Sequence, residues 1–322
     1  MHALITGGAG FIGSHLAELL LSKNQAVTII DNLSTGSMDN IAHLTSNPNF
    51  HFAIETITNE VVMDRLVSEC DTVYHLAAAV GVELVVRRPV HVLETNILGS
   101  ETVVRAANRY RKQVVLASTS EIYGKSEKTP FREEDDRLLG PTTRSRWSYS
   151  CSKAVDEFLA LAYHKEKGLP IVIVRFFNVV GPRQTGRYGM VVPRFVQQAL
   201  ADKTITVYGD GRQSRCFCHV RDAVRGVAML ADCAEAEGGV FNLGSDEEIT
   251  ILDLAKKVIE MTGSKSEINL IPYNEAYEEG FEDMHRRVPD ISKIRRTVGY
   301  EPEFSFEATL QSVIDYFKSR RA

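Results

Sequence analysis

The residue types best suited to moving a proton lie in Trp147-Ser148-Tyr149-Ser150-Cys151-Ser152-Lys153, where a tyrosine precedes a lysine by four positions. On a helix that spacing puts both side chains on one face. An unperturbed phenol, with a pKa of about 10, is a poor base at neutral pH. A neighbouring ammonium stabilises phenolate and lowers that value, so Tyr149 with Lys153 could take a proton from an alcohol as it is oxidised. A second group of hydroxyls, with one carboxylate, ends an apolar run at Ala117-Ser118-Thr119-Ser120-Glu121. Thr119 would hold the same substrate oxygen, and Glu121 would stand beside it.

Oxidation of an alcohol needs a hydride acceptor, and a place for one is written at the start of the chain. Gly7-Gly8-Ala9-Gly10-Phe11-Ile12-Gly13 follows one apolar run directly and opens an amphipathic stretch. Gly7 permits a tight turn, Gly10 lets the backbone approach a pyrophosphate, and Gly13 lets helix pack on strand, while the helix N-terminus offers N–H donors. Asp31 ends the next apolar run, where it would accept from adenosine ribose hydroxyls and repel a 2′-phosphate. Asn32, not an arginine, follows it, so the expected cofactor is NAD rather than NADP. Phe11 and Ile12 in the loop, Asn32, and Leu76 and Ala77 at a later strand end are assigned to the same site, which Tyr149 and Lys153 also reach.

These groups need a frame that brings their loops together. Apolar β-branched runs at His2 to Thr6, Ala26 to Asp31, Phe50 to Ile54, Thr72 to Leu76, Val114 to Ser118 and Ile171 to Phe176 read as strands. The clearest helices between them are Phe11 to Ser22, Val90 to Tyr110 and Tyr149 to Lys167. Parallel neighbours need crossovers longer than a hairpin, so this alternation predicts an α/β fold with a doubly wound parallel sheet of the Rossmann type. After Asn178 the pattern breaks at Gly181-Pro182-Arg183 and Gly186, and a smaller α/β substrate-binding lobe is expected. Residues 1–178 are expected to form the NAD-binding domain, with 221–244 returning to it, and residues 179–220 and 245–322 the second lobe. Helices at Leu252 to Met261 and Phe306 to Lys318 complete the chain. The acidic run Glu133 to Asp136 reads as a solvated loop.

The 322 residues carry 37 Lys plus Arg and 42 Asp plus Glu, a formal net charge of −5, and 44% are hydrophobic. That composition buries a sizeable core and excludes a disordered chain. With a pI near 6.0 and no block of Lys/Arg, no nucleic acid and no membrane surface is expected as partner. No apolar stretch approaches the span of a bilayer, and no signal-like segment opens the sequence. Five cysteines, odd in number and without paired metal-ligand spacing, point to reduced thiols in the cytoplasm and to no metal site. His75 reads as a packed histidine near the cofactor.

The three-apart glycines, Asp31, Thr119 and the Tyr149/Lys153 pair together resemble the short-chain dehydrogenase/reductase superfamily, over most of the chain. Asn96, in Asn96-Ile97-Leu98-Gly99, matches a position kept near the cofactor site there. Further stretches are similar to the nucleotide-sugar epimerase/dehydratase group of extended members: Phe177-Asn178, Gly181-Pro182-Arg183, Val192-Pro193-Arg194-Phe195, Val207-Tyr208-Gly209-Asp210-Gly211, Arg215, and Arg287 followed by Pro289-Asp290. The resemblance implies that the second lobe clamps a UDP-sugar. Arg215 and Arg287 would pair with phosphates through parallel charged hydrogen bonds, Tyr208 would lie beside the base, and Asn178, Arg183, Val192 and Arg194 would complete the substrate site. It also implies a homodimer through the helices Val90 to Tyr110 and Tyr149 to Lys167, with Val103, Ala107, Phe158, Leu161 and Ala162 extending an apolar stripe beyond the intrachain core.

Within this group Glu121 is the informative residue. The run Leu116-Ala117-Ser118-Thr119-Ser120-Glu121-Ile122-Tyr123-Gly124 is similar to the UDP-glucuronate decarboxylases, whereas simple sugar 4-epimerases usually lack an acid at this place. Sugar 4,6-dehydratases also have a Glu here, often after an Asp where this chain has Ser120. The favoured expectation is therefore an NAD-dependent enzyme that oxidises the sugar 4-hydroxyl of UDP-glucuronate, placing a ketone β to the carboxylate so that carbon dioxide can leave. Glu121 would orient the sugar or relay a proton, and Arg287 would help hold substrate charge. A UDP-sugar 4-epimerase and then a 4,6-dehydratase are the alternatives. A non-catalytic dinucleotide sensor is the reading from another class, against which the intact Thr119, Tyr149 and Lys153 speak.

Overall fold

The computed structural model describes residues 1–186, 190–272, 275 and 284–320. Six apolar runs form parallel strands β1 (His2–Thr6), β2 (Ala26–Asp31), β3 (Phe50–Ile54), β4 (Thr72–His75), β5 (Gln113–Thr119) and β6 (Ile171–Phe176). The strand Val240–Leu243 completes a seven-stranded sheet in the order Val240–Leu243, β6, β5, β4, β1, β2, β3, with every neighbouring pair parallel. The chain winds outward from β1 in one direction and from β4 in the other. The crevice at their carboxyl ends is the point at which such sheets bind ligands.

Buried on both faces, the strands are almost continuously apolar, as in Ile171–Val174 of β6. One face is covered by α1 (Phe11–Ser22) and the helix Val220–Ala231, through Leu16, Leu20, Val224 and Val227. The other is covered by α2 (Glu60–Ser68), α4 (Pro89–Tyr110) and α5 (Ser148–Lys167), through Met63, Val103, Ala107 and Ala160. A short α3 (Val82–Arg87) precedes α4; neither α2 nor α3 stood out in the sequence. A third core joins Phe195, Val207, Phe217, Leu254, Val258 and Val313. Beside it a small sheet pairs Glu248–Thr250 antiparallel and Arg286–Arg287 parallel with Ser214–Cys216, which sets Arg287 in register with Arg215.

The structure corrects two expectations. Val103 and Ala107 are fully buried against the sheet and Leu161 packs on the same core, so of the stripe expected on one outer surface only Phe158 and Ala162 are exposed. The acidic run is not wholly solvated either. Glu133 is half-buried because its carboxylate accepts the N–H of Asn242 at 2.8 Å on the outer strand of the sheet, satisfying a donor no neighbouring strand would pair.

Beneath the carboxyl end of β5 a buried polar network fixes the sheet to α5. Arg175 of β6 donates to both carboxylate oxygens of Glu157, at 2.9 and 2.7 Å, and to the hydroxyl of Tyr123 at 2.9 Å. Ser118 donates to the same Glu157, and Tyr123 donates to Asn242. Removing one member of a buried pair leaves an uncompensated charge, at a cost of about 3–5 kcal/mol. Arg175→Met should therefore lower the free energy of urea unfolding by about that amount. A loss below about 1 kcal/mol, the level of a surface pair, would show the network to be dispensable.

Candidate active site

Gly7 has a φ of +70°, which makes it the turn residue after β1. A Cβ on Gly8 would lie 2.3 Å from Ile29 of β2, and one on Gly13 would lie 2.3 Å from the carbonyl oxygen of Gly7. Gly8 is thus the glycine that lets the loop lie against the sheet, whereas Gly13 lets α1 close on the loop. Gly10 is the N-cap of α1, with no side-chain cap and no acid in the first turn. The helix therefore presents its uncapped N–H groups, and this end of the dipole suits a pyrophosphate.

Asp31, at the end of β2, accepts the N–H of Ala9 at 3.0 Å and that of Leu33 at 2.8 Å. Burial raises its carboxyl above the ordinary value, while those N–H donors pull the other way. Across the crevice His75 is buried in a polar pocket, bonded to Thr6 at 2.8 Å and Ser100 at 3.0 Å, and burial pushes its pKa down to about 3. It is a neutral packing residue. β4 ends at His75, one residue early, which leaves Leu76 and Ala77 in the loop that faces Gly7.

At the carboxyl ends of the strands lies a cavity of about 590 Å³. Gly7, Gly10, Phe11, Ile12, Gly13, Asp31, Asn32, Leu76 and Ala77 line it from the β1–α1 turn and the ends of β2 and β4; Thr119, Glu121, Tyr149 and Lys153 line it from the end of β5 and the start of α5; Asn178, Arg183, Val192, Arg194, Tyr208, Arg215 and Arg287 line it from the chain after β6. Asn96 is the exception. It does not line the cavity but stands behind it, accepting the N–H of Ala79 at 2.8 Å and donating to Ser152 at 3.1 Å. It shapes the loop that a cofactor would touch.

Thr119 hydrogen-bonds the Tyr149 phenol, which lowers its pKa, but burial and the charge of Glu121 push it well above the ordinary value. Lys153 was expected to supply the opposing cation, yet its ammonium is 2.7 Å from Asp156, three residues on along α5. Glu121 is buried between two guanidiniums, Arg146 at 2.5 Å and Arg287 at 2.8 Å. Burial alone would raise its pKa, but the charges of Arg146 and Arg287 outweigh that cost and hold it at about 2. A carboxylate held so low stays ionised at neutral pH, which favours the orienting role of Glu121 over the proton relay.

Arg287 also donates to Asn178, and Asn178 donates to the carbonyl of Cys216, tying the β6 exit to the small sheet. Arg194 stacks over the ring of Tyr208, 4.2 Å from its centroid. Arg183 turns onto α1, where it pairs with Glu18 and donates to Ser14. Sequence reasoning missed Arg146 and Asp156 as members of the site, and Arg88 and His91, which line the cavity from the approach to α4. Two of these had a signal: Arg146 and Asp156 stand three residues before Tyr149 and three after Lys153, spacings that share a helical face.

A doubly wound parallel sheet, a glycine turn after its first strand and a buried Tyr/Lys pair at the start of α5 define an extended short-chain dehydrogenase/reductase. The family model for GDP-mannose 4,6 dehydratase matches residues 4–313, and the chain belongs to that family. It is 41% identical to a UDP-N-acetyl-α-D-glucosaminuronate decarboxylase of Bacillus cytotoxicus, over 98% of this chain and 97% of that protein. It is 37% identical to UDP-glucuronic acid decarboxylase 1 of Arabidopsis thaliana, over 99% of this chain and 70% of that one. The structure of UDP-glucuronic acid 4-epimerase from Bacillus cereus, in complex with UDP-glucuronic acid and NAD, superposes with a TM-score of 0.89 at 31% identity, covering 99% of this chain and all of the other.

The Glu121 clamp has a pH signature. Because the folded-state value is about 2 against an ordinary 4.5, its stabilisation is complete above pH 4.5 and is lost as pH falls toward 2. The urea midpoint of the native protein should fall more steeply over that window than that of Glu121→Gln. Parallel curves would mean that the carboxylate is not held by the arginines.

Proposed function

We propose that the chain is an NAD-dependent decarboxylase of UDP-hexuronates, with UDP-glucuronate as the favoured substrate. Residues 1–178 with 221–244 would hold the dinucleotide, and 179–220 with 245–322 the nucleotide sugar. The observation that carries this reading is the Arg146–Glu121–Arg287 clamp at the reacting end of the cavity, a charged assembly that oxidation at C4 alone does not require. The decarboxylases that match the chain over nearly its whole length support it.

When bound, NAD accepts and returns a hydride. The uncapped start of α1 would receive its pyrophosphate, and Asp31 its ribose hydroxyls. Tyr149 is placed to take the proton of the sugar 4-hydroxyl, with Thr119 on the same oxygen. The ketone so formed lies β to the carboxylate, and the electron pair left when carbon dioxide departs enters that carbonyl. Arg287 holds substrate charge, and Arg215, beside it in the small sheet, takes a phosphate. Arg194 and Tyr208 would bracket the base.

The second reading is a UDP-sugar 4-epimerase, favoured by the likeness to the Bacillus cereus enzyme. There the ketone turns over and the hydride returns to its other face, so that only the C4–H bond is broken and re-formed and no carbon–carbon bond is lost. A 4,6-dehydratase is less well served, because Ser120 stands where an acid would assist loss of the 6-hydroxyl. Incubation with NAD and UDP-glucuronate, UDP-N-acetylglucosaminuronate or UDP-glucose, followed by mass and NMR, separates the chemistries. Loss of carbon dioxide is expected from a uronate. Glu121→Gln should slow it by about 10²-fold, the cost of a misplaced sugar, while NAD still binds, and Tyr149→Phe should abolish it. A wild-type protein that only equilibrates a 4-epimer pair would sink the decarboxylase reading.

We further infer a homodimer and place it in the cytoplasm, where five unpaired cysteines would stay reduced. Leu98, Val155 and Phe158, on α4 and α5, are 50%, 44% and 68% exposed and would be the contact surface. Sedimentation at micromolar concentration should give twice the chain mass, and Phe158→Glu should give a monomer. A monomeric mass for the native chain excludes the dimer.

A further inference from the structure

Asp156 has no part in the chemistry described so far, yet it is buried beside the group that matters most. Tyr149, Lys153 and Asp156 occupy positions i, i+4 and i+7 of α5, one stripe of the helix facing the cavity and the sheet. Lys153 is 2% exposed and Asp156 1% exposed, and a 2.7 Å bond joins the ammonium to one carboxylate oxygen. The second oxygen of Asp156 is buried and has no hydrogen-bond partner among the described residues. A carboxylate in that position, half-satisfied and out of water, is costly to keep unless the lysine is its counter-ion. An aliphatic residue would pack there at lower cost.

The surroundings show what the pair does. Facing the Tyr149 phenol are Glu121, after β5, and Arg146, before α5, with Arg287 and Arg215 of the second lobe behind Glu121. From β4 comes His75, neutral, and from α4 come the uncharged Asn96 and Ser100, with His91 at the cavity wall. Glu157, next along α5, is taken up by Arg175 of β6. Among the charges that act on the phenol, Arg146 favours phenolate while Glu121 and Asp156 oppose it, and Lys153, one turn along the same face, is held by Asp156.

We propose that Asp156 is a positioning residue: it anchors the Lys153 ammonium at the foot of the cavity, so that Tyr149 works beside a neutral ion pair rather than beside a bare cation. The inference rests on Tyr149 being the acid–base group, and on nothing about which sugar is bound. It makes Asp156 the residue that sets the pH at which the phenol gives up its proton once a dinucleotide is in place. Without that carboxylate, the lysine charge acts on the phenol undiminished.

The test uses the NAD-loaded protein without substrate. The ultraviolet phenolate absorbance of the native chain, less that of Tyr149→Phe, is followed with pH, and the same difference is taken on an Asp156→Asn background. The Tyr149 midpoint should move down by about 1 pH unit in Asp156→Asn and stay in place in Asp156→Glu, which keeps the charge. With UDP-glucuronate, the acid limb of the kcat profile should move by the same amount, giving about tenfold more activity at a pH below the native midpoint, relative to the plateau. A midpoint that is unmoved or moves upward overturns the proposal, whatever substrate the protein turns over. If Asp156→Asn does not fold, Asp156→Ser takes its place in the same phenolate titration, with the same downward midpoint expected and an unmoved midpoint again overturning the proposal.

Discussion

Glu121 can remain ionised where it stands only because two guanidiniums reach it from different parts of the chain. Arg146 comes from the turn that leads into α5, and Arg287 from the small sheet of the second lobe. Desolvation of a carboxylate costs several kcal/mol, and loss of either arginine would leave that cost uncompensated. The clamp therefore fixes three pieces at once: the end of β5, the start of α5 and the far wall of the cavity. Thr119 lies two residues before Glu121 and Tyr149 three after Arg146, so the two hydroxyls are held near each other by the same ion triad.

The two ends of the cavity are built by different means. At the dinucleotide end the work falls to backbone: a left-handed Gly7, the bare N-terminus of α1, and Gly8 and Gly13, whose missing Cβ atoms let loop, helix and sheet close together. Little there depends on long side chains, and a local stretch of sequence suffices. At the sugar end the work falls to arginines whose stems cross between elements, each fixed by a partner distant in sequence. Arg287 reaches Glu121 and Asn178, Arg194 lies over Tyr208, and Arg183 turns back onto Glu18 of α1. Arg287 and Arg183 thereby tie the later part of the chain to β5 and α1 through charge.

Burial also gives the site its resting electrostatics. The phenol of Tyr149 is driven toward its protonated form by desolvation and by Glu121, and the ammonium of Lys153 is paired with Asp156. His75, buried and neutral, adds shape to the site without adding charge.

Much of the architecture is local and was open to reading from the sequence. The strands β1, β2, β3 and β6 and the helix Phe11–Ser22 fall at the predicted residues, because period-two and period-3.6 apolar patterns report which faces are buried. The glycine turn, Asp31 and the Tyr149/Lys153 pair are likewise motifs of short span. What the sequence by itself could not decide is which charges meet. Arg146 and Arg287 are 141 positions apart and share one carboxylate; Asn96 resembles a cofactor ligand but faces a loop; Val103 lies on the stripe of an exposed surface but packs inward. Hydrophobic periodicity is set by each residue's near neighbours and survives in one dimension. The partner of a buried charge is set by a distance of a few ångströms in space, and only the folded chain has that distance.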